Sequence, residues 1–288
     1  MKRFVAIALS VACGISFGQA RRQDVVDDQQ AEREAWFYGQ RAYPLGRIPT
    51  GARLKALAEI ERINQEARTA GLSPRALIAE GWTSIGPQPT NPGSQYVTAG
   101  RVNSIAIDPN NSNTLYIGAA EGGVWKSTDG GQTWTPLTDA QPSLADGAIA
   151  LDPSNSDIVY VGTGEENFAI DSYYGAGILK STDAGATWKN LVGPFLHAFI
   201  GSIAVSPANS QVLLLSSDTG IWRSSDAAAS WTQVLDGTGT AVLFDPSNGD
   251  VAYAALGNPF GNFNNGVYRS TDGGRTWQSI RAMPGRWV

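Results

Sequence analysis

Cysteine occurs once in the 288 residues, at Cys13, and histidine once, at His197. A chain with a single cysteine has no internal disulfide framework. A zinc site typically takes three or four His, Cys or carboxylate ligands, so zinc and other metals are not expected. A Ser-His-Asp triad would have to use His197, whose place between Phe195 and Phe199 reads as a loop or strand edge. Charge is also scarce: 16% of residues are Asp, Glu, Lys or Arg, and the net charge is -5. With no basic stripe there is no footprint for nucleic acid. No apolar run reaches the ~20 residues of a membrane-spanning helix. No motif asks for a cofactor.

Residues 1–20 have the form of a secretory signal. Lys2 and Arg3 supply the charged start, Phe4 to Phe17 is mostly apolar, and Gly18-Gln19-Ala20 puts small residues at the cleavage positions. Cleavage there would remove Cys13. A lipoprotein box is the alternative, since Cys13 follows Val11-Ala12, but Ser10 starts such a box poorly and the chain stays apolar beyond it. The expected location is secreted, periplasmic or at the cell surface.

What the chain has in abundance is glycine, 33 residues, and one repeated octapeptide. Ser127-Thr128-Asp129-Gly130-Gly131-Gln132-Thr133-Trp134 returns as Ser181 to Trp188 and as Ser270 to Trp277. A worn copy, Ser224-Ser225-Asp226-Ala227-Ala228-Ala229-Ser230-Trp231, lies between the last two. The pattern is S-x-D-x-G-x-T-W. Periods of about 40–55 residues point to propellers or solenoids. Each residue type has a mechanical task. Asp129, Asp183, Asp226 and Asp272 can accept hydrogen bonds from backbone N–H groups two or three residues on and hold a tight turn. Gly131, Gly185 and Gly274 can take a positive φ without a Cβ clash. Ala228 stands at that position in the worn copy, where a positive φ would strain it. Trp134, Trp188, Trp231 and Trp277 open the next strand and offer rings for packing between units.

This octapeptide closely resembles the Asp-box, or BNR, repeat of sialidases, family 74 glycoside hydrolases and sortilin-type ectodomains. The resemblance covers about residues 82–280. It implies an all-β fold, a β-propeller of four-stranded blades, in which the boxes are peripheral structural turns. It says little of function, because one fold hosts many activities.

The residues support four such blades. In the first, Val102 to Ile107, Thr114 to Gly118, Gly123 to Ser127 and Trp134 to Leu137 read as strands, with Asp108-Pro109-Asn110-Asn111-Ser112 as the first turn. That turn recurs at Asp152, Ser206 and Asp245. Each first strand carries an apolar pair on one face: Ile105/Ile107, Ile149/Leu151, Ile203/Val205 and Val242/Phe244. Box turns and Asp-Pro turns then share one side of the propeller. Loops between strands two and three, and between blades, share the other, and the insertions fall there. Blade two inserts Thr163 to Ala176 and blade four Leu256 to Asn265. Function gathers on loops held by a rigid scaffold. Tyr173, Tyr174, Phe260, Asn262, Phe263 and Arg101 are the candidate ligand-binding residues of that face.

The domain plan is thus a signal over 1–20, a helical lead-in over 21–80 and an Asp-box propeller over 81–288. In the lead-in, Gln23 to Phe37 and about Ala52 to Ala67 are expected helices, broken by Pro44 to Pro49. Leu54, Leu57, Ile60 and Ile63 give the second an apolar stripe. Arg47-Ile48-Pro49 resembles the Arg-Ile-Pro motif of sialidases but lies outside the repeats.

Two classes of function stay open: a secreted module that binds extracellular glycan or protein through its loop face, and a glycoside hydrolase, xyloglucanase-like or sialidase-like. A hydrolase typically needs two carboxylates about 5–10 Å apart. Glu121, Glu165, Glu166 and Asp171 are the candidates. Tyr116 to Trp125 is similar to the first blade of family 74 xyloglucanases, which carry a catalytic Asp two residues before paired glycines; here that position is Ala120 and Glu121 is one residue off. No sialidase-like arginine triad is visible. Finally, Trp82-Thr83-Ser84-Ile85 resembles the last strand of a blade whose other three strands are not in the sequence, so the ring is expected to be incomplete and the chain the N-terminal part of a longer protein or a truncated product; the alternative is a four-blade ring in which Trp82 packs as an extra strand or loop.

Overall fold

The computed structural model describes residues 35, 36, 38–71, 100–167 and 171–282. The leader over 1–20 and the strand expected at Trp82 lie outside them. Among these residues no helix is long and apolar enough to cross a membrane.

Among the described residues, helical turns at 35, 36 and 38–42 precede a helix labelled α1 (Ala52–Thr69), and sixteen strands follow it. Blade one is β1 (Val102–Ile107), β2 (Leu115–Ala119), β3 (Gly123–Ser127) and β4 (Thr135–Pro136). Blade two is β5 (Asp146–Asp152), β6 (Asn155–Gly164), β7 (Tyr174–Ser181) and β8 (Lys189–Leu196). Blade three is β9 (Ile200–Ser206), β10 (Asn209–Ser217), β11 (Gly220–Ser224) and β12 (Thr232–Asp236). Blade four is β13 (Gly239–Asp245), β14 (Asn248–Leu256), β15 (Gly266–Ser270) and β16 (Gln278–Ala282). Each blade is a four-stranded antiparallel sheet in chain order. The register repeats: Ile105 faces Ile117, Ile149 faces Val161, Ile203 faces Leu215 and Val242 faces Ala254.

The boxes form one hydrogen-bond pattern four times over. In the first, Ser127 Oγ donates to Asp129 Oδ1 (2.7 Å) and accepts from Gly131 N (2.9 Å). Thr133 N donates to Asp129 Oδ1 (2.9 Å) and Thr133 Oγ1 to Asp129 Oδ2 (2.6 Å). Asp183, Asp226 and Asp272 hold their loops in the same way. The fourth box residue then donates its N–H to the preceding strand turn, as Gly130 to Asn113 O and Ala184 to Asp157 O. Box turns and Asp-Pro turns therefore lie on one side, leaving the insertions on the other. The left-handed stretch is longer than the sequence suggests. The fifth residue has φ 90, 90, 72 and 80 at Gly131, Gly185, Ala228 and Gly274, but the fourth is positive too, including Ala184 (φ 55) and Ala227 (φ 56). Trp134 does not open a strand: its indole folds back and donates to Gly131 O (3.0 Å), leaving β4 only two residues long.

The core is three clusters, one at each seam between consecutive blades. Tyr116 and Val124 meet Val159, Val161 and Leu179, with Trp188 against them. Tyr160 and Ile178 meet Ile203, Leu213 and Leu215, with Trp231 alongside. Leu214 and Ile221 meet Val242, Phe244 and Ala254, with Trp277. Each large apolar side chain buried in a seam contributes roughly 1.5–3 kcal/mol. The first strands pack in succession, β1 on β5, β5 on β9 and β9 on β13, with no comparable packing of β13 on β1 among the described residues. The four blades make an open arc, an incomplete propeller.

The helix α1 runs two residues beyond the expected end. Its stripe is not a buried face: Leu54, Ile60 and Ile63 stay exposed and only Ala67 is buried. Its hold on blade one is polar, through Arg53, which donates to Asp139 O (2.6 Å) and Gln141 O (3.0 Å). Arg47-Ile48-Pro49 lies in the irregular stretch before α1 and is part of no strand.

Two expected outcomes follow from the boxes. Ala227→Gly relieves a positive φ at a half-buried site and should stabilise the chain by roughly 0.4–1 kcal/mol in chemical denaturation; Ala228→Gly should gain less, because its buried methyl packs at the seam between blades two and three. Asp129 and Asp183 are held down to about 2, first by the hydroxyl bonds from Thr133 and Thr187. A carboxyl depressed on folding stabilises fully above its unfolded value near ~4 and loses that contribution as pH falls through the folded one. Melting temperature should therefore drop between pH ~4 and ~2, and Asp183→Asn should flatten that drop while lowering the neutral-pH midpoint.

Candidate functional site

Arg101 precedes β1 on the insertion side of blade one, and the blade-two insertion folds over it. Its guanidinium pairs with Glu165 and reaches Asp171 at 3.5 Å. Glu165 is fully buried, yet Asp171 keeps 55% of its side-chain surface. Glu165 Oε1 also accepts from Asn167 Nδ2 (2.9 Å), which in turn contacts Asn103 Oδ1 (2.9 Å). Asn103 Nδ2 donates to Asp146 O (2.8 Å), so the network stitches blade one to blade two. On the other flank, Glu165 forms a parallel bridge with Ile200 at the start of β9. Glu165 is thus a keystone of the loop: a buried carboxylate is retained when a cation and hydrogen-bond donors meet it.

Glu121, from the short blade-one loop, joins this group electrostatically. Partial burial raises its pKa, Arg41 opposes the rise, and the charges of Asp171 and Glu165 add to it. It occupies in blade one the register of Glu165 in blade two, three residues past Gly118 and Gly162 respectively. Three of the four candidate carboxylates therefore share one place. Glu166 does not. It turns toward blade three, where a Cβ on Gly201 would fall 2.3 Å from its Oε2. Burial, reinforced by the charge of Asp218, pushes its pKa up to about 9, and neither of its oxygens has a hydrogen-bond partner among the described residues.

Beside the acids runs a row of rings. Tyr38 lies 5.8 Å from Tyr173, Tyr173 5.3 Å from Tyr174, and Tyr174 4.7 Å edge-on from His197. Tyr38 donates its hydroxyl to Ser172 O (2.5 Å), which brings the helical lead-in onto this face. His197 is seated with a positive φ of 65 and donates its N–H to Gly175 O. Phe260, Asn262 and Phe263 stand apart. Their loop is closed on itself by Asn265, whose Oδ1 accepts from Asn258 N (2.8 Å) and whose Nδ2 donates to Asn258 O (2.9 Å). Asn262 Oδ1 is taken by Asn264 N (2.9 Å), while Phe260 and Phe263 are exposed. No hydrogen bond or ion pair among the described residues joins this loop to Tyr173 or Arg101.

Sequence reasoning missed Tyr38, Asp146 and Asp218. Tyr38 is brought in by tertiary packing alone. The acids left a readable signal in the repeat itself. Asp146 sits in the register of Val102, Ile200 and Gly239, and Asp218 in that of Ala120. Asp146 is fully buried, neither carboxyl oxygen has a hydrogen-bond partner among the described residues, and burial holds its pKa well above the usual carboxylate range. Asp218 is a clip instead: Oδ1 accepts from Phe199 N (3.0 Å), and its own N–H donates back to Phe199 O (3.1 Å).

Glu166 generates an expected outcome. A carboxyl whose pKa rises on folding keeps its proton in the folded state only, so it destabilises increasingly as pH climbs from its unfolded value near ~4.3 toward about 9. Glu166→Gln should raise the melting temperature, by a margin that widens from pH 5 to pH 9; a constant or shrinking margin would show that Glu166 is charged in the fold.

Comparison with known proteins fits this architecture. Residues 125–136 and 268–279 match the BNR/Asp-box repeat. A xyloglucanase of Hypocrea jecorina (strain QM6a) is 27% identical over 212 residues, which cover 62% of this chain and 25% of that enzyme. A xyloglucanase of Paenibacillus sp. is 30% identical over 213 residues, 63% of this chain and 20% of its own length. The crystal structure of the GH74 xyloglucanase from Xanthomonas campestris superposes with a TM-score of 0.51 at 25% identity, over 64% of this chain and 31% of that one. The chain thus spans about a quarter of the length of the curated relatives it matches. It is an Asp-box β-propeller chain that resembles the propellers of GH74 xyloglucanases.

Proposed function

We propose that the insertion side of blades one and two is a glycan-binding face, acting outside the cytoplasm on a β-glucan of the xyloglucan class. One observation carries this: the Tyr38–Tyr173–Tyr174 row and the Arg101–Asp171 pair meet at the blade-two insertion, which itself carries Asp171, Tyr173 and Tyr174. Sugars present apolar ring faces and a rim of hydroxyls. Tyrosine rings offer large flat contact area, and a half-exposed guanidinium–carboxylate pair offers both donors and acceptors. Glu165 is committed to the scaffold, since reaching a scissile bond would require breaking its bonds to Arg101 and Asn167. The relatives named xyloglucanases supply the first polysaccharide to try.

A hydrolytic role is the second reading, favoured by the raised pKa of Glu121 near the open Asp171. A raised carboxyl suits a general acid and a solvated one suits a base or nucleophile.

Calorimetric titration with xyloglucan oligosaccharides tests both. Tyr173→Ala and Tyr174→Ala should each weaken binding roughly 10-fold, about 1.4 kcal/mol of stacking. Asp183→Ala, on the opposite side, should leave affinity unchanged. Equal affinity in the tyrosine variants would remove the proposed face. Reducing-end release that disappears in both Glu121→Gln and Asp171→Asn would establish the hydrolase instead.

A further inference from the structure

Among the described residues, four other than glycine have a positive φ: Ala184, Ala227, Ala228 and His197. The three alanines belong to boxes, where the aspartate bonds hold the loop. His197 (φ 65) lies outside every box, on the insertion side, between β8 and β9. Its strain therefore has a different cause. An L side chain rarely adopts such a φ, and strained residues that persist gather at functional sites.

The turn that imposes it is fixed from both ends. Ala198 N donates to Phe195 O (3.2 Å), which makes Leu196 and His197 the two central residues of a β-turn. Only the second has a positive φ, the pattern of a type II turn, which favours Gly or Asn at that position. Phe195 is locked in the core, edge-on to Trp222 and Trp231 at 5.4 Å each, and Ala198 is buried. Gly175, the residue after Tyr174, bolts the turn to the blade-two insertion. It accepts from His197 N (3.1 Å) and donates to Ala198 O (2.8 Å). The crossover from blade three to blade four takes its positive φ on Gly237 (φ 135) instead. Glycine would serve the turn at 197 with less strain, so the fold does not ask for histidine there.

What histidine adds is its ring. The imidazole is exposed and stands 4.7 Å edge-on from Tyr174, at the end of the row of rings. Neither ring nitrogen has a hydrogen-bond partner among the described residues. Imidazole nitrogens act as donor and acceptor, which suits the hydroxyl rim of a sugar. The row thus carries polar atoms of its own, apart from the Arg101–Asp171 pair. We propose that His197 is a specificity-determining contact of the glycan face, hydrogen-bonding hydroxyls of the saccharide unit that stacks on Tyr174. This rests on the glycan-binding reading of the insertion side and adds that the strain at His197 is kept for its ring.

Two variants separate the ring from the backbone. His197→Gly and His197→Ala both remove the imidazole, but only glycine relieves the positive φ. On the full chain, His197→Gly should raise the melting temperature and His197→Ala should not. Both should weaken binding of xyloglucan oligosaccharides in calorimetric titration by the same factor of roughly 10. Wild-type affinity in both, while Tyr174→Ala still loses it, would overturn the role of His197 and leave the face standing. A loss confined to one variant would trace to the backbone and overturn it as well. So would a lower melting temperature in His197→Gly, since the ring would then serve the fold. A wild-type chain that binds none of these oligosaccharides would remove the face itself and the contact with it.

Discussion

A four-stranded blade has two apolar faces and no means of covering either by itself. Everything else in this chain answers that constraint. Apolar residues alternate along the first and second strands so that each face finds a neighbour, and all three core clusters fall at seams, none within one sheet. The boxes set the spacing of those seams. The aspartate bonds fix a loop with two left-handed residues, and that loop offers its fourth carbonyl to a lysine or arginine of the preceding blade. The octapeptide is thereby both a turn within one blade and a socket for another. Its repetition reflects the repetition of the seam.

The insertion side is governed by a different balance. Carboxyl groups on the insertion side of blade two meet two fates. Glu165 stays paired because Arg101 and Asn167 reach it, whereas Asp146 and Glu166 are enclosed without hydrogen-bond partners among the described residues, and burial pushes the pKa of each upward. Burying an unpartnered acid is costly whichever form it takes. The three intact alternatives in the other blades, Val102, Ile200 and Gly239, show that the fold does not demand an acid at Asp146. Stability and the proposed binding role thus divide between the two sides: boxes hold the scaffold, and the less economical chemistry sits among the insertions.

How much of this was legible beforehand differs by residue. The blades were, because period-two apolar pairs and a turn motif with its own hydrogen-bond logic are local. So were the side of the insertions and the ring-bearing loop at Tyr173 and Tyr174. The pairing of Arg101 with Glu165 was not, since those residues are far apart in sequence and meet only when blade two folds over blade one. The helix stripe misled for a related reason. Periodicity shows that Leu54, Leu57, Ile60 and Ile63 share a face but not that anything covers it, and α1 meets blade one through Arg53 instead.

The sequence by itself determined the repeating unit: four boxes, four blades, the sidedness of their loops and the strain at Ala228. These depend on backbone geometry within a few residues of each motif, where composition dictates conformation. Only the tertiary structure decided which of four loop acids are buried, paired or open. It also decided which aromatic residues form a row, and that Ile105 and Ile107 are exposed while Val242 and Phe244 are buried. The reason is that burial and charge state are properties of what lies opposite a side chain. In a propeller the opposite surface always belongs to another blade.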